Sequence, residues 1–270
     1  MSYIDLQPTL TDWPYDADQI SVRKILGTDG AVRIQMRVEL GVLQMEAEGR
    51  PDGARPSGHA SLLEYQQWRL ADYEQRNGTA VGFGLSPEEC QELRTEASLY
   101  YRRYIALFVL EEYDQVVRDS AHNLDIFDFC REHAREEEDR ACLESYRPYV
   151  LMMNARSRTL EALGNEEYTS ALAHVNRGIM HIMTHLEEHG LAEEAGSSEE
   201  IRMLRELAAE LKRRMPQDSA AVAETALRLA VEKEQFEEAA RLRDMLEDLQ
   251  GQRKPRLLPD QPARQRQSEA

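Results

Sequence analysis

The sequence predicts a mainly α-helical protein with a small N-terminal β-hairpin or three-stranded sheet and a helical hairpin near the C-terminus. Three observations predict it. Residues 20–48 read as a β region, with apolar–polar alternation flanking an Asp-Gly turn. From Ser61 onward, apolar residues recur at three- and four-residue steps, the period of one helical face. Proline and glycine gather at 49–59, and Pro216 interrupts the later helical pattern. The expected organisation is a lead-in, small sheet and polar loop over 1–59 and a helical body over 60–195. A linker helix and helical hairpin follow over 196–251, then a disordered basic tail over 252–270.

Bulk properties bound the function. A chain of 270 residues fits one or two domains and can bury a real core. The formal charge is -17 and the pI is near 4.9. Such a surface repels phosphate backbones and anionic lipid, so direct nucleic-acid binding by the whole surface is not expected. The longest apolar run, Tyr104 to Leu110, is too short to span a bilayer. The start, MSYIDLQPTL, lacks a basic region followed by an apolar core, so no signal peptide is expected. The expected location is the cytoplasm, with no membrane partner. Cys90, Cys130 and Cys142 form no C-x-x-C pair and read as reduced thiols, buried or half-buried.

Residues 1–19 form an irregular lead-in that Tyr3, Trp13 and Tyr15 can pin onto the fold. Ile20, Val22, Lys24 and Leu26 then precede Gly27-Thr28-Asp29-Gly30. Val32, Ile34, Met36 and Val38 alternate with Arg33, Gln35, Arg37 and Glu39 after it. Alternation flanking an Asp-Gly turn is a hairpin signal. A third strand is expected over Val42 to Ala47. The apolar face needs a cover, a helix or a second copy. Arg23, Arg33 and Arg37 read as the solvated face of the sheet, or as a small basic patch. The loop Gly49 to His59 has two prolines and three glycines, with polar Arg50, Asp52, Arg55 and His59. It carries no phosphate-cradling glycine motif and reads as a connector that can also hold a ligand.

The helical body opens with Leu62, Leu63, Tyr65, Trp68, Leu70 and Tyr73 on one helix, ended by Asn77-Gly78. Ser86-Pro87-Glu88-Glu89 is a helix start: Ser86 as cap, proline in the first turn, acids beside the positive end of the dipole. Helices are expected over Cys90–Leu110, Tyr113–Phe129 and Glu132–Leu143. Two blocks look related, Tyr100–Phe127 and Asn154–Ile182, each a helix, an acidic turn and a tyrosine opening a second helix. Tyr113 and Tyr168 are equivalent, 55 residues apart. In the second block Leu160, Leu163, Gly164, Tyr168, Ala171 and Leu172 make it resemble a tetratricopeptide repeat. The resemblance implies stacked helical hairpins; the spacing exceeds that family's period of about 34, so an inserted helix is expected. An ordinary irregular bundle is the alternative.

Chemistry on these helices has one sharp candidate. His181, His185 and His189 follow at four-residue steps, with His174 seven residues earlier. Imidazoles on one helical face can bind zinc, copper or nickel. The row spans about 12 Å of helix axis, so one ion reaches only two of them, His181 and His185 for example, and a third ligand must come from elsewhere. Solvated histidines beside acids are the preferred reading, and no cofactor or metal is expected. The acids at 136–138 and 193–194 lie in charged runs with nothing to shift a pKa. No nucleophile elbow is present. Catalysis is therefore not the leading expectation.

After the link at 190–198, Ile201, Leu204, Leu207, Ala208 and Leu211 make a further helix, broken by Pro216. Then Phe236, Glu237, Ala239, Ala240, Leu242, Arg243, Asp244, Leu246 and Leu249 follow without a gap, preceded by Leu227 and Ala230. This pattern resembles the UVR motif, the helical hairpin of the excinuclease subunits UvrB and UvrC, of some Clp-type ATPases and of an activator of bacterial protein arginine kinase. Ala223 and Glu234 stand where the family usually has leucine. The resemblance implies a contact module. Ala239 and Ala240 let a second helix approach closely, and Phe236 plugs the open end of the hairpin. Arg243 and Asp244 suit a local ion pair. So short a hairpin must dock on its own chain, a copy of itself or a partner.

The expected function is a non-enzymatic protein–protein adaptor, acting through the hairpin and the helical body, in DNA excision repair or stress proteolysis. A homo-oligomer fits as well. The zinc-binding cysteine pairs of the arginine-kinase activator are absent, which argues against that role. The alternative is an enzyme or metal-binding protein using loop 49–59 and the His181/His185/His189 face. The tail over 252–270 carries a net charge of +3 against -20 for the rest.

Overall fold

The computed structural model describes residues 5–214 and, beyond them, Leu227, Arg228, Ala230, Val231, Phe236, Ala239, Ala240, Leu242 and Arg243. The chain divides into two units, Met1–Arg213 and Arg214–Ala270. The described residues are mostly helical, with a small antiparallel sheet near the N-terminus. The expected basic tail and its disorder lie outside the described residues.

The alternating stretch forms β1 (Val22–Leu26), β2 (Val32–Val38) and β3 (Gly41–Glu46), in the order β1-β2-β3. Gly30 adopts φ 79° in the first turn, a left-handed conformation that glycine takes without a Cβ clash. Ile34 pairs with Met45 in register. Both are buried and join the core that contains Tyr104, so helices supply the cover the apolar face needs. After a short α1 (Gln7–Leu10), the lead-in is tied down by Trp13. Its indole N–H donates to Ser21 Oγ, and the Arg23 guanidinium lies 4.0 Å above its ring.

The three strand arginines lie half-buried on the polar face of the sheet, and each is paired rather than forming a basic patch. Arg33 pairs with Asp29 and Glu46, at 2.6 and 2.8 Å. Arg37 donates to the carbonyls of Trp13 and Gly41 at 2.9 Å each. Arg23 donates to Gln35 at 2.8 Å. An arginine beside unpaired carbonyls and carboxylates gains more from those partners than from open water.

The helices follow their local signals. Ser61 caps α2 (Leu62–Asn77), and Gly78 ends it in the left-handed region. Trp68, expected on the packed face of α2, is 51% exposed and sits against His59 and Tyr65. Ser86 and Glu89 form a capping box on α3 (Pro87–Val109). The α4 helix (Tyr113–His133) runs four residues past its expected end at Phe129, and of the helix expected over Glu132–Leu143 only Glu137–Ala141 forms as a separate helix. At Ala134 the chain turns extended because Leu85 bridges to it: the Leu85 amide donates to the His133 carbonyl, and Arg135 donates back to Leu85. Leu85 and Ala134 are both almost fully buried, so burial there overrides helical continuation. A short α5 (Glu137–Ala141) and a single turn at Glu144–Tyr146 follow.

The related blocks become two antiparallel hairpins, α3 with α4, and α6 (Arg147–Gly164) with α7 (Tyr168–Glu188). Their turns match in detail. Glu111 and Glu166 each take φ 60°. The next amide, of Glu112 or Glu167, reaches back to Leu107 or Ala162, at 3.0 and 2.8 Å. This is the Schellman arrangement, here with glutamate where glycine is usual. The first hairpin packs on the second through α4 and α6. Then α8 (Glu199–Arg214) buries Ile201, Leu204 and Leu211 in the core built by α6 and α7.

The crossing of α6 and α7 is tight at Gly178. A Cβ there would stand 2.3 Å from the Ala155 Cβ and 3.2 Å from Leu204 Cδ1. Gly178→Ala is expected to cost about 1–3 kcal/mol, read as a lower urea midpoint at constant m value. An unchanged midpoint would mean that the two helices can part here at no cost.

Candidate functional site

Two clusters of buried charge stand out in the first unit. The first lies where the polar loop meets α2, α3 and α4. Arg103 is 1% exposed and Asp119 fully buried. Their bidentate pair has N···O distances of 2.6 and 2.8 Å. The other Arg103 nitrogen donates to the carbonyls of Glu46 and Gly49, at 3.0 and 2.7 Å. Glu96, fully buried one helical repeat earlier on α3, accepts the amides of Leu62 and Leu63 at 2.6 and 3.1 Å. With Ser61 on the Glu64 amide, the first three α2 donors are satisfied. His122 and Arg50 reach Glu96 at 3.1 and 3.3 Å.

Beside this network opens a cleft of about 360 Å³, walled by Glu48, Glu64, Gln67, Arg118, His122 and Asp125, among others. The loop residues Arg50, Asp52, Arg55 and His59 do not line it. Arg50 pairs with Asp52 at 3.0 Å, Arg55 donates to the Gly58 carbonyl, and His59 packs on Tyr65 and Trp68. Burial alone would raise the Glu96 carboxyl, but the His122 hydrogen bond and the two α2 amides hold it below the ordinary glutamate value. Burial pushes the Asp125 carboxyl up, and the Tyr100 hydroxyl up to about 12.

The second cluster joins the Glu144 turn to the end of α7. His185 and Glu144 are each 6% exposed. His185 Nδ1 lies 3.7 Å from Glu144 Oε2, and His189 Nε2 lies 4.0 Å from the same oxygen. The His189 Nδ1 sits 2.8 Å from the His185 carbonyl. Arg147 grips Glu144 through two bonds, 2.6 and 2.8 Å, and reaches Asp128 at 3.0 Å. Burial and neighbouring His189 lower the His185 imidazole pKa. This corrects the reading of solvated histidines: His185 is interior, while His181 is exposed and outside the cluster. The missing third partner is Glu144, 41 residues before His185 in sequence and invisible to helical spacing.

The three cysteines carry no disulfide. Cys90 and Cys130 are buried, and burial pushes their thiols up to about 11 and about 12. Thiols held protonated in this way are poor nucleophiles.

In the C-terminal region, Leu227, Ala230, Phe236, Ala239, Ala240, Leu242 and Arg243 are all helical. Ala230 and Ala239 are buried, at 4% and 8% exposure. Ala240 is exposed, however, and Phe236 is 70% exposed. The expected plug is therefore not a plug. Asp244, Leu246, Leu249 and the expected bend at 234–235 lie outside the described residues.

The fold thus defines a helical protein with a small sheet, and among the described residues no helix is long and apolar enough to cross a membrane. Residues 221–252 match the family model of the UvrB/uvrC motif. No curated protein and no solved structure matches the chain.

Asp119→Ala leaves the Arg103 guanidinium buried without its counter-ion and is expected to cost about 3–5 kcal/mol, measured by urea denaturation. A loss under 1 kcal/mol would mean that the two carbonyls alone satisfy Arg103. For Glu96, a folded-state pKa below the ordinary 4.5 makes its contribution present above that pH. The contribution is lost as pH falls further. Melting temperature against pH should fall less steeply in Glu96→Gln below pH 4.5 than in the parent protein. Parallel acid limbs would show that Glu96 is not the titrating group.

Proposed function

We propose that this protein is a non-enzymatic adaptor that binds other proteins, with the UVR-like hairpin as its docking element and the stacked helical hairpins, tetratricopeptide-like in arrangement, as a second contact surface. The observation that carries the reading is the motif match over 221–252, inside which Phe236 stands 70% exposed and Val231 54% exposed. An exposed aromatic and an exposed aliphatic residue within one motif are anchors that burial against a partner would stabilise. Ala230 and Ala239 are assigned to the hairpin interior, and the motif resemblance names Leu227, Leu242, Arg243, Asp244, Leu246 and Leu249 as its further contact candidates. The net charge of -17 favours a partner face that is basic or neutral.

The partner belongs, in this reading, to DNA excision repair or to stress proteolysis in the cytoplasm, the settings in which the motif is found. A second copy of the chain is the competing occupant. Nucleic acid is reached through the partner rather than directly.

The test is affinity capture from native extract with the full chain, with a chain truncated after Met215, and with Phe236→Ala. A partner retained by the full chain and lost from both variants supports the reading, and its identity chooses between repair and proteolysis. Because Phe236 is exposed, Phe236→Ala should change stability by no more than about 0.5 kcal/mol. Equal capture by all three would remove the hairpin from the docking surface.

A further inference from the structure

We infer that Glu144, His185 and His189 form a binding site for one divalent transition-metal ion of zinc-like chemistry. The inference stands on the second charge cluster alone and is independent of the adaptor reading.

Each residue offers one donor atom, and the three atoms lie within 4.8 Å of one another. The two histidine-to-carboxylate distances, 3.7 and 4.0 Å, are too long for hydrogen bonds. The three side-chain donors therefore gather without bonding one another, while the Glu144 backbone also hydrogen-bonds the His185 ring. Around tetrahedral zinc, with bonds of about 2.0–2.1 Å, neighbouring donors stand about 3.3–3.5 Å apart. Small side-chain rotations would close the remaining gap.

The surroundings hold the donors in ligating form. His189 Nδ1 meets the His185 carbonyl at 2.8 Å, and an acceptor there places the ring proton on Nδ1. That leaves the Nε2 lone pair facing Glu144. A backbone carbonyl behind a ligating histidine is the usual way such a ring is oriented. Glu144 Oε1 is fixed by Arg147 at 2.8 Å, the hydrogen bond that a ligating carboxylate also needs. Arg147 bonds Oε2 as well, so an ion competes with its Nε for that oxygen. Asp128, 3.0 Å from the same guanidinium, keeps Arg147 paired when it yields. The His189 side chain is 35% exposed and provides the entry path. Two imidazoles and one carboxylate suit zinc, cobalt or nickel rather than calcium or magnesium. Three protein donors leave a fourth position for water.

The test uses the full-length chain, titrated with Zn²⁺ by calorimetry and with Co²⁺ by absorption. All seven histidines lie within the described residues. The expected result is one equivalent bound, with Co²⁺ giving tetrahedral ligand-field bands and no sulfur-to-metal charge transfer. His189→Ala, at a partly exposed position, keeps the fold by circular dichroism and weakens binding at least about tenfold. His181→Ala, one turn earlier and exposed, leaves it unchanged. Absence of saturable binding, a sulfur charge-transfer band, full affinity in His189→Ala, or equal loss in His181→Ala would each overturn the assignment.

Discussion

The buried contact of Arg103 with Asp119 and with two backbone carbonyls is the constraint on which the N-terminal third depends. A sheet of three short strands is not independently stable unless something covers its apolar face. The helices provide that cover at Ile34 and Met45. Apolar burial is non-directional, however, and would tolerate several placements of the sheet. Arg103 removes that freedom. Its fork must meet Asp119 on α4 and the carbonyls of Glu46 and Gly49 together, and a shift of β3 by one residue would strand the guanidinium in the core. Glu96 does the same for α2, by taking the free amides at its start. A buried anion and a buried cation, seven positions apart on one face of α3, therefore set where everything before Gly78 sits.

Stability alone does not account for such a pair. Apolar residues of the same volume often serve as well or better in a core. What the charges add is geometry. The α3–α4 hairpin is laced by Glu96 to His122 and by Arg103 to Asp119, and the cleft opens beside this lacing. The second cluster repeats the arrangement elsewhere, with Arg147 bridging Glu144 and Asp128. Both clusters draw on α4, which contributes Asp119 and His122 to one and Asp128 and Arg131 to the other. The matched Schellman turns at Glu111 and Glu166 keep α4 and α7 in equivalent places within their hairpins.

What was legible in the sequence was local. The Asp-Gly turn, the Ser86 cap and the Gly78 stop each act within four residues, and each element formed where its signal stood. The related blocks were readable because one turn chemistry was used twice. What was not legible depended on distant partners. Glu96, Arg103 and Glu144 have the composition of a solvated helical face, and only the packing of other helices makes them interior. A break after Phe129 was expected, but its position at Ala134 was hidden because its cause, Leu85, lies 49 residues earlier. The strand arginines read as solvent-facing because alternation reports which side a residue takes, not what waits on that side.

Phe236 shows the same limit from the opposite direction. A large apolar residue at a helical repeat position reads as core, since apolar burial dominates folding. Among the described residues of the motif, the buried positions are the small Ala230 and Ala239, at 4% and 8% exposure. Leaving Phe236 in water forgoes the gain of burying a large apolar side chain, of order 1.5–3 kcal/mol, that a packed position would supply. A partner surface can recover that gain on binding, because the residue is already presented and only its rotamer has to be fixed. In the adaptor reading, the apolar energy that exposed Phe236 leaves ungained in the chain's own fold is then available for association.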